Sequence, residues 1–266
     1  AATALAAVGL WASYVNVWRP DRANPILDEL AYQVFGWLYI HGNYGANREH
    51  PPLAKYLYGL AQVVVGYGLD TTRLVAGLAA LLTAAVAFRF AQREAGFWAG
   101  LFAAAVATLT PLEVAGAAGR FTRFGLLEPF LVLFSTAAVY AGWRWAQAGR
   151  WAWAVVAGTL LGFATASKFT AVCFLPTVAL GAVIVRRTRR ALVQGIACGL
   201  AALSAFVACY LPQGVAAGWH SFRYMFAFQF HHSELGHPVT VAGHGYLHPP
   251  WWAHLWWQTQ SYGILL

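Results

Sequence analysis

Long apolar runs, broken at short intervals by arginine, tryptophan and proline, make up most of the chain. Seven of them, roughly 1–18, 73–90, 95–112, 124–144, 151–168, 169–185 and 191–211, are built from Ala, Leu, Val, Gly and Phe and approach the ~20 residues a membrane-spanning helix needs. The pattern differs between the first two runs. There Asn24-Pro25-Ile26-Leu27-Asp28-Glu29-Leu30 reads as a helix start, with Asn as N-cap and Pro at the first helical position. Apolar residues then recur at Leu27, Leu30, Ala31, Val34, Phe35 and Leu38, which predicts an amphipathic helix lying along a membrane surface. A second apolar run, Tyr56 to Leu69, follows the pair Pro51-Pro52; at about 14 residues it is short for a span and suits an interfacial or re-entrant helix.

Composition agrees with the pattern. Of 266 residues, 60% are hydrophobic and 10% charged, against about 25% charged in a soluble domain. A water-soluble fold, a disordered chain and a small disulfide scaffold are all excluded, and the expected fold is all-α, a polytopic transmembrane helical bundle. The net charge of +8 comes from 17 basic residues scattered between apolar runs, with no patch of interleaved aromatics, so no nucleic-acid partner is expected. Cys173, Cys198 and Cys209 fall inside apolar runs without metal-ligand spacing and read as packing residues. The chain opens on Ala-Ala-Thr and closes on Gly-Ile-Leu-Leu, so it is expected to be part of a longer protein. Residues 1–211 read as the transmembrane core, and 212–266 as an outer loop rich in His and Trp.

Lys and Arg in short loops set orientation. If the first span runs outward, three tight connections are cytoplasmic: Arg89 with Arg93, Arg144 with Arg150, and Arg186, Arg187, Arg189 and Arg190. The opposite face carries nine basic residues, but in longer segments and matched by eight acids. This parity puts loop 19–72, segment 113–123, the turn at Lys168 and the tail from Pro212 on the extracytoplasmic face.

Most unusual polar residues fall on that face. Asp28 and Glu29 occupy a first helical turn, where the macrodipole favours anions, and both reduce to N-terminal stabilisers in the plainest reading. Adjacent helical residues diverge by about 100°, so one carboxylate can face a substrate while the other meets a structural partner. Lys55, in His50-Pro51-Pro52-Leu53-Ala54-Lys55, falls in a first turn that disfavours cations, so a partner such as a lipid phosphate or a carboxylate is expected to reward it, and a headgroup contact without function is the plain alternative. Arg120 and Arg123 precede a span that contains Glu128. Lys168 stands with about 17 uncharged residues on each side and either snorkels or meets an anion. Seven of the nine histidines lie from His220 onward, yet their spacing matches no zinc pattern, so no metal is expected. The aromatic density at Trp251-Trp252 fits an interfacial platform or a sugar-stacking surface. Gly158 with Gly162 and Gly195 with Gly199 read as close helix packing.

The Asp-Glu pair after the first span, followed by His-Pro-Pro-Leu-x-Lys, resembles the protein O-mannosyltransferase family, GT-C-type glycosyltransferases that use dolichyl-phosphate mannose. Arg123-Phe124-Gly125-Leu126-Leu127-Glu128 looks like that family's Arg-x-x-Leu-Leu-Asp stretch, with Glu in place of Asp. Ser167-Lys168-Phe169-Thr170 looks like its Ser-x-Lys-aromatic segment, and His232-Ser233 with Trp251-Trp252 is similar to its later outer loop. The family's later spans and the lumenal β-trefoil of its eukaryotic members are missing, which points to part of a prokaryotic relative.

The resemblance implies inverting transfer of a sugar, mannose first, from a polyprenyl or dolichyl phosphate to a Ser/Thr hydroxyl of a protein. Related families use a lipid or glycan acceptor. Asp28, beside Glu29, is the candidate base. Arg123 and Lys168, with Lys55 and Arg120 behind them, are candidates for stabilising the departing phosphate. His50 and Glu128 are candidates for orienting roles, and His232, Trp251 and Trp252 for a sugar or acceptor platform. The partners implied are a lipid bilayer, the phosphate-linked donor and a protein or lipid acceptor. No cofactor is expected, although an Asp-Glu pair would suit a divalent cation. A transporter or flippase would show inverted repeats, and no internal repeat is evident.

Overall fold

The computed structural model describes residues 2–17, 25, 27–109, 124–236 and 238–262. The described residues form eleven α-helices and one two-stranded hairpin. Helices α1 (Ala2–Asn16), α4 (Leu69–Ala95), α5 (Phe97–Leu109), α6 (Glu128–Ala148), α7 (Trp151–Ser167), α8 (Phe174–Arg186) and α9 (Arg189–Ala208) fall on the seven apolar runs. Among the described residues three stretches are long and apolar enough to cross a membrane: Leu69–Ala95, Phe169–Arg186 and Arg189–Gln213. Shorter apolar helices occupy Ala2–Tyr14, Leu53–Val65, Phe97–Ala107 and Trp151–Ser167.

Local chemistry sets the boundaries. Thr188 caps α9 by accepting the Ala191 N–H at 3.1 Å. Gly149 ends α6 in the left-handed region, at φ 62°. Helix α6 starts at Glu128, later than the run beginning at Phe124 predicts, because Pro129 sits in its first turn while Phe124–Leu127 form a bend. Glu128 therefore occupies a helix N-terminus, where a carboxylate is favoured, and not the interior of a span.

Helices α6, α7, α8 and α9 share one core around the fully buried Trp145. Its indole N–H donates to Gln194 Oε1 at 2.8 Å, and Gln194 Nε2 donates to Gly149 O at 2.9 Å, which satisfies the polar groups buried there. Gly158 and Gly162 let the α7 backbone approach the carbonyls of Cys198 and Ala202, where a β-carbon would collide. Gly199 faces open space, so the packing expected of Gly195 with Gly199 holds only for Gly195, which touches Val183. Cys198 and Cys209 are buried as packing residues; Cys173 is exposed.

Helices α2 (Leu27–Ile40) and α3 (Leu53–Val65) fill the segment between α1 and α4. Asn24 lies outside the described residues. The second run yields a helix three residues earlier than Tyr56, since Pro52 serves as its N-cap, and it ends at Gly66 with φ 131°. Gly36 and Gly59 bring α2 and α3 into backbone contact.

The tail departs from the expected loop. Residues Val215–Leu235 form α10, with Trp219, Phe222, Phe226 and Phe230 stacked in series along it at centroid separations of 5.5, 6.0 and 4.5 Å. Strands β1 (Val239–Val241) and β2 (His244–Tyr246) follow, paired antiparallel across the two-residue turn Ala242-Gly243, whose φ angles of 52° and 80° are those such a turn needs. Helix α11 (Ala253–Tyr262) closes the described chain.

Two ends of the bundle are distinct. At one, Gln147 donates to Glu94 at 2.9 Å and Arg186 to Ala146 O at 3.2 Å. At the other, Tyr58 Oη donates to Leu126 O at 2.5 Å, Tyr44 Oη to Pro212 O at 3.0 Å and Gln229 Nε2 to Glu49 O at 3.0 Å. This second end gathers α2, α3, the start of α6, the end of α7 and α10.

Candidate functional site

Helix α2 presents its two acids in opposite ways. Glu29 is wholly buried; its Oε1 accepts from Arg73 Nε at 2.7 Å and from the Gly125 N–H at 2.9 Å, and its Oε2 accepts from Arg73 Nη2 at 2.7 Å. The carboxylate thereby ties α2 to α4 and to the bend before α6. Asp28, one residue earlier, is exposed. Glu29, a candidate beside Asp28 for catalysis, thus has an interior ion pair, and the two acids divide into one facing inward and one facing outward.

Asp28 shares its helix face with Tyr32, one turn on. The Tyr32 phenol is pushed above its ordinary value, first by burial and then by the carboxylates of Asp28, Glu128 and Glu49, so it stays protonated and able to donate. The His50 ring meets Tyr32 edge-on at 6.1 Å. Burial lowers the His50 pKa to about 4, helped by Lys55 and Lys168 and opposed by Glu49 and Glu128, which keeps the imidazole neutral near pH 7. Glu128 pairs directly with Lys168, with side chains 33% and 30% exposed. The second end of the bundle therefore brings Asp28, Tyr32, Glu49, His50, Glu128 and Lys168 into one electrostatic cluster drawn from α2, the loop before α3, α6 and the end of α7.

Lys55 acts on His50 electrostatically but is enclosed behind it. It is 0% exposed, and its ammonium donates to Asn47 O at 2.6 Å, His50 O at 2.9 Å and Tyr39 Oη at 3.0 Å. Its partners are carbonyl and hydroxyl oxygens of the protein, unlike the phosphate or carboxylate its position led one to expect. Arg120 and Arg123 lie outside the described residues, as does the side chain of His232. Trp251 is 86% exposed, and Trp252 meets Tyr246 of the hairpin at 6.5 Å; the cluster forms without either. Among the described residues no three His, Cys, Asp or Glu side chains gather as metal ligands.

A cavity of about 400 Å³ lies between α9 and α10, lined by Leu203, Phe206, Tyr210, Trp219 and Phe222. Phe206, Tyr210 and Met225 share a core cluster with Phe169, the neighbour of Lys168, and with Leu53, which follows the Pro51-Pro52 pair. The apolar cluster that borders the cavity thus includes residues adjoining Lys168 and the Pro51-Pro52 pair in sequence.

Tyr32 and Glu49 of the cluster, and Arg73 behind it, are residues that the sequence reading passes over. Arg73 heads an apolar run, and a cation at such a place needs an anion, which is the available signal. Tyr32 lies four residues after Asp28, on the same helical face.

Comparison with known proteins bears on the same residues. A family model described as dolichyl-phosphate-mannose-protein mannosyltransferase matches residues 49–213, which include His50, Lys55, Arg73, Glu128 and Lys168. A Mycolicibacterium smegmatis protein named polyprenol-phosphate-mannose–protein mannosyltransferase is 27% identical over 205 residues, covering 65% of this chain and 38% of that protein. A Corynebacterium glutamicum protein of the same name is 36% identical over 92 residues, covering 35% of this chain and 17% of its own length. The chain spans well under half the length of these relatives. With an all-α membrane fold, a charged cluster at one end of the bundle and a family match over more than half its length, the chain belongs to the dolichyl-phosphate-mannose-protein mannosyltransferase family.

Proposed function

We propose that this chain is the catalytic portion of a multi-pass membrane enzyme that transfers mannose from a polyprenyl phosphate to a Ser/Thr hydroxyl of a protein on the extracytoplasmic face. The reading is supported by the Glu128–Lys168 pair and the Tyr32–His50 contact, with Asp28 one turn from Tyr32 on the same helical face and its charge felt there. A base, neutral hydrogen-bond donors and a cation at the edge of an apolar bundle are the groups such a transfer requires. The names of the two bacterial relatives support the donor and the protein acceptor.

In the proposed step the acceptor oxygen attacks the anomeric carbon from the face opposite the phosphate, and the Asp28 carboxylate takes the hydroxyl proton. The anomeric carbon–oxygen bond to phosphate breaks, and its electron pair leaves on the polyprenyl phosphate. Lys168, together with Arg123 assigned by its motif and Arg120 behind it, offsets the charge that grows on that phosphate. Asp28 then gives up the proton to water. We assign no cofactor. The prenyl chain is assigned to the cavity between α9 and α10, whose lining is apolar.

Transfer from radiolabelled polyprenyl-phosphate mannose, using membranes that hold the full-length protein, tests the reading. Label in an acceptor peptide, released by β-elimination, is the expected result. Label confined to a lipid product would replace the protein acceptor with a lipid one, and no transfer from this donor would overturn the reading.

A further inference from the structure

Lys55 lies in the first turn of α3, where the macrodipole repels a cation, and it is fully enclosed. Enclosing an ammonium costs several kcal/mol unless its hydrogens are matched. Burial accordingly lowers its pKa to about 7, with Glu49 opposing. The matching is thorough: Asn47 O, His50 O and Tyr39 Oη take the three N–H groups, and Asn47 Oδ1 lies a further 3.4 Å away. No donor is left over for a ligand.

These acceptors come largely from one short stretch of chain. Asn47 adopts the left-handed region at φ 52°, and Pro51 with Pro52 restricts the chain beyond His50. Asn47 and His50 thus turn their carbonyls inward onto the ammonium from the two ends of this short stretch. The His50 ring is carried outward to meet Tyr32, and the Glu49 carbonyl is held by Gln229 of α10.

We propose that Lys55 is a positioning residue: a buried amino group whose hydrogen bonds organise residues 47–50 and so present His50 to the Asp28–Lys168 cluster, without touching the donor. This rests on the transferase reading above. The fold keeps the amino group because its neighbours act through it. Lys55 differs in this from Lys168, which stays partly exposed beside Glu128.

The test uses the full-length enzyme carrying Lys55→Met, which keeps the stem and removes the amino group. With polyprenyl-phosphate mannose and an acceptor peptide, kcat should fall about tenfold or more while the donor KM stays within about twofold. Amide exchange over residues 43–50 should accelerate about tenfold, with the α6–α9 core unchanged. A donor KM raised about tenfold with unaltered loop exchange would make Lys55 a donor contact and overturn the proposal. Unaltered kcat and unaltered exchange would overturn it too. If Lys55→Met does not accumulate, Tyr39→Phe removes one acceptor of Lys55 together with that hydroxyl's own bond to Ala46 O and should still loosen the loop; unchanged exchange there counts against the proposal. Loop exchange is read whether or not mannose is transferred, so failure of the transferase reading is distinguishable.

Discussion

Glu29 and Arg73, 44 residues apart, meet through two parallel hydrogen bonds of 2.7 Å with side chains 0% and 2% exposed. Because neighbouring helical residues point about 100° apart, anchoring Glu29 inward sends Asp28 to a different face. The inner acid sets the direction of the outer one. Removing one member of a buried pair leaves the other charge uncompensated, at a cost of about 3–5 kcal/mol. Glu29→Ala should therefore lower the unfolding temperature of the detergent-solubilised protein far more than Asp28→Ala, and equal stability of the two variants would contradict the assignment.

The Glu128–Lys168 pair behaves differently because about a third of each side chain is exposed. Its contribution to stability should be about 1 kcal/mol or less. Lys168→Met should leave thermal stability nearly unchanged and lower kcat/KM for the donor, chiefly through kcat. A stability loss without any change in donor dependence would mark Lys168 as a structural tie only.

His50 gives a pH dependence with a definite sign. Its unfolded pKa is 6.5 and its folded value about 4, so between these the unfolded chain binds the extra proton. The stability it contributes is complete above pH 6.5 and is lost as pH falls towards 4. Unfolding temperature measured from pH 7.5 to 4.5 should fall less steeply for His50→Gln than for the wild type. Parallel curves would remove His50 from the account.

Gly59 tests the fold beneath the site. A β-carbon there would run into the carbonyl of Gly36, whereas one at Gly199 would meet open space. Gly59→Ala should destabilise the protein by separating α2 from α3, and Gly199→Ala should not. Matching unfolding curves for the two variants would show that α2 and α3 do not approach as closely as described.

Much of this arrangement can be read from the chain, and the remainder depends on contacts distant in sequence. The apolar runs locate α1, α4 to α9 and the short helix pair because burial and helical spacing are local signals. The adjacency of Asp28 and Glu29 shows that the two must part. Which one faces inward depends on Arg73, and nothing near Asp28 records that contact. Lys55 announces its need for a partner by its unfavourable helical position, but carbonyl acceptors carry no sequence signature. Pro129 is the local signal for the start of α6, but the apolar run reaching back to Phe124 masks it, and with it the placement of Glu128. Helix α10 was hidden because its aromatics alternate with His, Arg and Gln, which resembles a loop when read by hydropathy alone.

The central claim is that Asp28 accepts the acceptor's proton. The most direct measurement compares mannose transfer to peptide by the full-length wild-type enzyme and Asp28→Asn, alongside their unfolding temperatures and donor-lipid affinities. The account predicts a loss of kcat of about a hundredfold or more, with stability and donor affinity preserved, since Asp28 is exposed. Turnover by Asp28→Asn at a rate near that of the wild type would contradict it.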